Sequence, residues 1–201
     1  MRHQTRRDVA RFRTMVGDEV RFFRTWIGKP LTTGAVSPSG RFLARAMAEK
    51  VDPAGTGPVI ELGPGTGAVT RALADRGIAA SRIVAIEYNE TFATLLHTRF
   101  PEIEIVVGDA YALEATLPAL EPGSVSAIVS SLPLFTRPPL ERRRLMEQAM
   151  RLLAPGAPLI QFSYALVPPV PPVDGRWTVE CSDWILRNLP PARVWTYRAA
   201  G

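Results

Sequence analysis

The sequence predicts an open α/β fold, a mostly parallel sheet covered by helices on both faces. Three observations predict it. Val59 to Thr70 reads VIELGPGTGAVT, which is a strand, a glycine turn and a helix start. Two further apolar runs, Ile83 to Ile86 and Ile103 to Val107, end in Glu87 and in Gly108-Asp109-Ala110. Strand-like and helix-like segments keep alternating as far as Tyr164, the order that a parallel sheet with helical crossovers requires.

Residues 1–29 precede this unit and differ from it in charge. They hold eight Arg or Lys against three acids, whereas residues 30–201 carry 16 of each sign, so the whole net charge of +5 sits at the N-terminus. From Asp8 to Lys29 the spacing predicts one helix. Val9, Phe12, Val16, Val20, Phe23 and Ile27 fall on one face, Met15, Phe22 and Trp26 widen it, and most arginines lie opposite. Such a helix suits an anionic membrane surface. The same face could instead dock on the body, or the basic side could touch nucleic acid; membrane contact is the reading adopted. The division expected is a membrane-binding helix over 1–29 and one α/β domain over 30–201.

After a loop, Ser37 suits an N-cap and Pro38 the first position of a helix running to about Lys50. The glycine turn leads into a helix that ends near Gly77. Asn89 to Phe100 is a helix stopped by Pro101, and Tyr111 to Leu120 is another, stopped by Pro122-Gly123. A fourth strand, Val125 to Ser130, precedes Ser131-Leu132-Pro133-Leu134-Phe135; Pro138 to Leu153 is a helix, and Pro158 to Tyr164 the fifth strand. Four prolines between Val167 and Pro172 forbid a helix there, so that segment is expected as an extended lid or crossover near the active-site mouth. Two last strands, about Trp177 to Leu186 and Val194 to Arg198, flank Asn188-Leu189-Pro190-Pro191.

Gly63, Gly65 and Gly67 permit positive φ and leave backbone N–H groups bare. This turn suits a nucleoside-bearing cofactor when an acid follows about 20 residues on to hold a ribose. Glu87 stands 20 residues past Gly67. By itself the turn also fits a dinucleotide fingerprint through Gly63, Gly65 and Ala68. Acids at the ends of strands one, two and three, with a Pro-aromatic turn after strand four, separate the two. Together they resemble the S-adenosylmethionine-dependent methyltransferases of the Rossmann-like class I fold. That resemblance implies a mostly parallel seven-stranded sheet with a C-terminal antiparallel strand, with S-adenosylmethionine as cofactor and S-adenosylhomocysteine as its product.

Two outer runs, WIGKPLTTGAVSPSGRFLARAMA (Trp26 to Ala48) and NLPPARVW (Asn188 to Trp195), resemble the bacterial phospholipid N-methyltransferases and their ornithine-lipid-methylating relatives. Their core is similar to that of the rRNA adenine dimethyltransferases. The resemblance implies methylation of phosphatidylethanolamine to phosphatidylcholine at the cytoplasmic face of the membrane. The alternatives are ornithine lipid as substrate, RNA adenine as substrate, or a non-catalytic lipid-surface module. A neutral body argues against nucleic acid as a partner.

The resemblance also implies site roles. Glu61 would hold the methionine end of the cofactor with Gly34 and Ala35, beside the backbone of Gly63, Gly65, Gly67 and Ser130. Glu87 would hold the ribose, Tyr88 would lie along the adenine, and Asp109 and Ala110 would take its edge. Ser131 and the Leu132 carbonyl would orient the amine, with Phe135 or Tyr164 facing the forming cation and Tyr111 the guess for a base. Asn or Asp, usual at the position of Ser131 in amine methyltransferases, is missing. Arg41, Arg45 and Arg193 are the candidates for the lipid's phosphate.

Composition fits this picture. A hydrophobic fraction of 46% over 201 residues provides a full core for one domain. No apolar stretch approaches the roughly 18 residues of a membrane span. One cysteine, Cys181, fits a reducing compartment, and with only His3 and His97 besides, no metal is expected.

Overall fold

The structure is a computed structural model that describes residues 38–200. The helix expected over residues 8–29, and with it Gly34, Ala35 and Ser37, lies outside the described residues. Seven strands form one sheet: β1 (Val59–Leu62), β2 (Ile83–Glu87), β3 (Glu104–Val107), β4 (Ala127–Ser130), β5 (Leu159–Ser163), β6 (Trp177–Cys181) and β7 (Arg193–Ala199). Their order is β3-β2-β1-β4-β5-β7-β6. The strands from β3 to β5 are parallel, and β7 runs antiparallel between β5 and β6. Every residue of β1, β2 and β4 is buried, as strands covered on both faces must be.

Two apolar clusters fill the faces. One lies beneath α1 (Pro38–Ala48), α2 (Ala68–Asp75) and α3 (Glu90–Arg99) and is built on Met47, Leu73, Ile83, Leu96 and Ile160. The other lies beneath α5 (Pro139–Leu152) and is built on Ile60, Ile128, Met146, Leu159 and Tyr197. Asn89 caps α3, its side chain accepting from Thr91 N and Phe92 N at 2.9 and 3.2 Å.

Three expectations change. The strand expected from about Trp177 to Leu186 stops at Cys181, and a loop follows. The helix expected from Tyr111 to Leu120 is a single turn, α4 (Leu113–Thr116), because Pro118 follows two residues later and disfavours helical backbone at Leu117. The proline-rich segment is a crossover and not a lid. Val170 is buried, its N–H donates to Tyr197 Oη at 3.2 Å, and the Pro171 carbonyl accepts from Trp177 Nε1 at 3.0 Å. Arg142 of α5 donates to the Pro169 carbonyl. These bonds strap the segment over the second cluster as the chain passes from the end of β5 to the start of β6. Proline suits such a strap because it has no N–H to satisfy.

Candidate functional site

The register brings the carboxyl ends of four strands to one edge. Leu62 pairs with Ile86 and Ser130, and Glu87 pairs with Val107. Gly63, Tyr88, Gly108 and Ser131 therefore begin their loops side by side, in the crevice where ligands bind open α/β sheets.

The three turn glycines all have positive φ, at 68°, 56° and 84° for Gly63, Gly65 and Gly67. Their surroundings differ. A Cβ on Gly63 would stand 3.0 Å from Leu132 Cδ2, and one on Gly67 would stand 2.5 Å from Phe100 Cε2, so both are also fixed by packing. Gly65 has nothing within 4 Å of that position and opens on free space. It is the glycine a ligand would need.

Glu87 holds this turn in place. It is buried; its Oε2 accepts from Gly65 N at 3.0 Å and its Oε1 from Asn89 N at 2.9 Å. Glu61, by contrast, is fully buried with no hydrogen-bond partner on either oxygen among the described residues, and Thr70 Oγ1 beside it has none either. Burial pushes the Glu61 carboxyl up to about 8; Thr70 pulls the other way and Glu87 adds a smaller upward push. An unsatisfied buried carboxyl is costly, and a cation placed against it would relieve that cost.

On the far side of the turn, Tyr88 is 79% exposed and Val107 55%. With Asn89 and Gly108 they line an open cleft of about 550 Å³. Asp109 is exposed, its Oδ1 accepting from Tyr111 N at 2.8 Å, and Ala110 is buried. Ser130 is buried, with its Oγ 3.4 Å from Leu132 N.

The turn after β4 is braced from the next strand. Ser131 N donates to the Leu62 carbonyl at 2.9 Å. Gln161 of β5 is buried, and its Nε2 donates to the Leu132 carbonyl at 3.0 Å and to the Phe162 carbonyl at 2.8 Å. Its Oε1 has no partner among the described residues. Sequence reasoning missed Gln161, and a lone glutamine in a buried strand is the only signal that could have found it. The Leu132 carbonyl also accepts from Leu134 N at 2.9 Å, so two donors hold it.

The aromatic candidates separate. Phe135 lies beneath the Arg142 guanidinium, 5.1 Å from the ring centroid, while Tyr164 packs edge-on to Phe162 at 5.6 Å on the other cluster. Tyr111 is half-buried under Arg137 at 4.7 Å, and burial pushes its hydroxyl up to about 12, so at neutral pH it offers a donor and not a base. Arg193 lies between Trp184 and Trp195, at 5.4 and 5.6 Å from the rings, and donates to the Ser182 carbonyl at 2.9 Å. Arg41 stacks on Phe42, and Arg45 pairs with Glu49 at 3.3 Å on the exposed side of α1.

Residues 59–156 match a family model described as a methyltransferase domain. The chain carries a class I S-adenosylmethionine-dependent methyltransferase domain. A relative spanning most of it is the ornithine lipid N-methyltransferase of Singulisphaera acidiphila, 29% identical over 172 residues, which are 82% of this chain and 87% of that one. The ribosomal RNA small subunit methyltransferase A of Phenylobacterium zucineum is 41% identical over 85 residues, covering 41% of this chain and only 28% of the relative. Among solved structures, the phosphoethanolamine N-methyltransferase 1 of Haemonchus contortus aligns with 92% of this chain and 49% of its own, at a TM-score of 0.59 and 16% identity. That likeness is one of fold.

The residues present fit the cofactor that a methyltransferase domain of this class takes. Glu61 has two unsatisfied buried oxygens and Gly65 an open approach. Among the described residues no cluster of His, Cys, Asp or Glu could hold a metal ion, and no helix is long and apolar enough to cross a membrane.

Proposed function

We propose that this protein methylates the headgroup amine of a membrane lipid, with ornithine lipid as the first substrate to test. One observation carries the choice: the match to the ornithine lipid enzyme runs through 82% of this chain and 87% of that relative, whereas the ribosomal RNA relative shares a segment of 85 residues. Phosphatidylethanolamine, which the outer motifs favour, is the second reading. Both headgroups present a primary amine near an anion.

When bound, S-adenosylmethionine supplies a methyl group activated on a sulfonium. Glu61, deprotonated by the approach of a cation, holds the ammonium of the methionine end. Glu87 holds the ribose hydroxyls with the lone pairs its two backbone bonds leave open, Tyr88 covers the adenine, and Asp109 and the Ala110 N–H take its edge. Gly34 and Ala35 close the methionine end on the strength of their sequence alone.

The Ser131 hydroxyl orients the amine beside the Leu132 carbonyl, which Gln161 and the Leu134 N–H keep in place. Alignment and exclusion of water are most of what in-line transfer to a neutral amine needs. Tyr111 keeps its proton, so the amine loses its own to solvent before it attacks. Arg193, Arg41 and Arg45 face the headgroup's carboxylate or phosphate. The basic segment of residues 1–29, which carries the whole net charge, brings the enzyme to the anionic bilayer.

The test is incubation of the protein with methyl-labelled S-adenosylmethionine and vesicles containing ornithine lipid and phosphatidylethanolamine together, followed by mass spectrometry of the lipids. Methylated ornithine lipid in excess supports the first reading. Methylated phosphatidylethanolamine in excess selects the second, and no methylated lipid at all contradicts both.

A further inference from the structure

The loop between β6 and β7 carries apolar side chains that methyl transfer does not use. It begins beyond Cys181 and ends at Arg193, which pairs with Ser163, the last residue of β5. The loop therefore stands over the carboxyl edge of the sheet, at the mouth of the site. It is built to hold a shape. Ile185 N donates to the Ala192 carbonyl at 2.8 Å, Asn188 N to the Ile185 carbonyl at 3.1 Å, and the buried Asn188 side chain to the Pro190 carbonyl at 2.7 Å.

That frame turns apolar side chains outward. Leu186 is 75% exposed, Leu189 79% and Trp184 37%. Burying Leu189 and Leu186 against the body would have been the cheaper arrangement. Cations stand between them. Arg187 stacks on Phe42 at 5.4 Å and Arg193 on Trp184, and among the described residues neither makes an ion pair. Together with Phe42 and Arg45 the loop lines a groove of about 440 Å³. Exposed leucines, an interfacial tryptophan and unpaired arginines on one rigid loop match an anionic lipid surface in both polarity and charge.

We propose that this loop is a membrane-docking surface, with Trp184, Leu186 and Leu189 entering the headgroup region of an anionic bilayer while Arg187 and Arg193 meet its lipid anions. The proposal rests on the reading of the protein as a lipid methyltransferase. It adds a second contact beside the one proposed for the basic N-terminal segment. Docking there sets the open edge of the sheet against the bilayer, so a headgroup reaches the β4 turn without the lipid leaving the membrane.

The experiment uses the full chain with Cys181→Ser and an environment-sensitive fluorophore on Leu186→Cys, mixed with phosphatidylcholine vesicles with or without phosphatidylglycerol. A blue shift with the anionic vesicles, reversed by salt, is expected. In parallel, Leu186→Ser/Leu189→Ser should weaken vesicle binding about tenfold or more, while S-adenosylhomocysteine binding and turnover of detergent-dispersed lipid stay at the wild-type level. Vesicle binding without a blue shift, or unchanged in the double variant, would overturn the proposal, as the basic N-terminal segment would then suffice. A fluorophore already blue-shifted without vesicles would also overturn it, since another part of the chain or a second copy would cover the loop. Turnover of dispersed lipid reports separately on the lipid reading: its absence in the wild type would sink that reading, whatever the loop does.

Discussion

Glu87 accepts the Gly65 N–H at 3.0 Å, so the acid at the end of β2 fixes the glycine turn at the end of β1 before any ligand arrives. Its other oxygen takes the Asn89 N–H. One carboxylate thus shapes the crevice and still has lone pairs to offer a ribose. Glu87→Ala should lower folding stability by about 1–3 kcal/mol, the cost of two lost bonds to a buried charge. It should also weaken S-adenosylhomocysteine binding by about 100-fold or more. Calorimetric titration with thermal melts would check both numbers.

Neighbouring glycines should respond differently to the same change. Gly67→Ala sets a methyl group 2.5 Å from Phe100 and should cost about 3 kcal/mol, from overpacking together with left-handed strain. Gly65→Ala meets no atom of the fold and should cost only about 1 kcal/mol, yet its methyl group projects into the cofactor approach. Denaturant midpoints and cofactor affinity, measured for both variants, should rank them in opposite orders.

Glu61 gives the protein a pH signature. Its carboxyl, pushed up to about 8 by burial, holds its proton at neutral pH, while the same side chain in the unfolded chain ionises near 4.5. Between those values the native state carries one proton more than the unfolded state, so stability falls as pH rises through that window and is fully lost to this group above about 8. Glu61→Gln should flatten that slope. A bound ammonium favours the carboxylate, so cofactor binding in the same window should release a proton and tighten as pH rises. Calorimetry in buffers of different ionisation enthalpy reads the proton directly.

The brace on the β4 turn predicts a kinetic split. Gln161→Leu takes one of its two donors from the Leu132 carbonyl and leaves only the Leu134 N–H. Turnover should fall by about tenfold or more while the KM for S-adenosylmethionine stays within about threefold, because the change touches amine orientation and not the cofactor crevice. Equal loss in both parameters would assign Gln161 to the general integrity of the fold.

Much of this was legible in the sequence because it depends on local chemistry. Three glycines at alternate positions and acids after apolar runs fix where strands end, and parallel pairing lines those ends up. The antiparallel C-terminal strand followed from the class resemblance; its place between β5 and β6 comes from the structure. Gln161 was not legible, since its role depends on a neighbouring strand 29 residues away in sequence. Nor was the path of the proline segment, which is decided by Tyr197 and Trp177 waiting on distant strands. Glu61 and Glu87 looked alike as strand-end acids. Only the fold separates them, giving Glu87 two backbone donors and Glu61 none.

Substrate ionisation should set the pH dependence of turnover. With its pKa pushed up to about 12, Tyr111 does not compete with solvent for the amine proton. The rate with lipid in excess should rise steadily toward the amine's own pKa, about 10 for an alkylamine. A plateau near neutral pH would point to a base within the protein.

The measurement that tests the central claim most directly offers the protein both kinds of substrate at once. Purified protein is incubated with methyl-labelled S-adenosylmethionine, anionic vesicles containing ornithine lipid and phosphatidylethanolamine, and structured RNA, and the label is then partitioned between organic and aqueous phases. Label on a lipid amine in the organic phase is the predicted result. Label on RNA, or none in either phase from protein that still binds S-adenosylhomocysteine, would contradict a lipid N-methyltransferase.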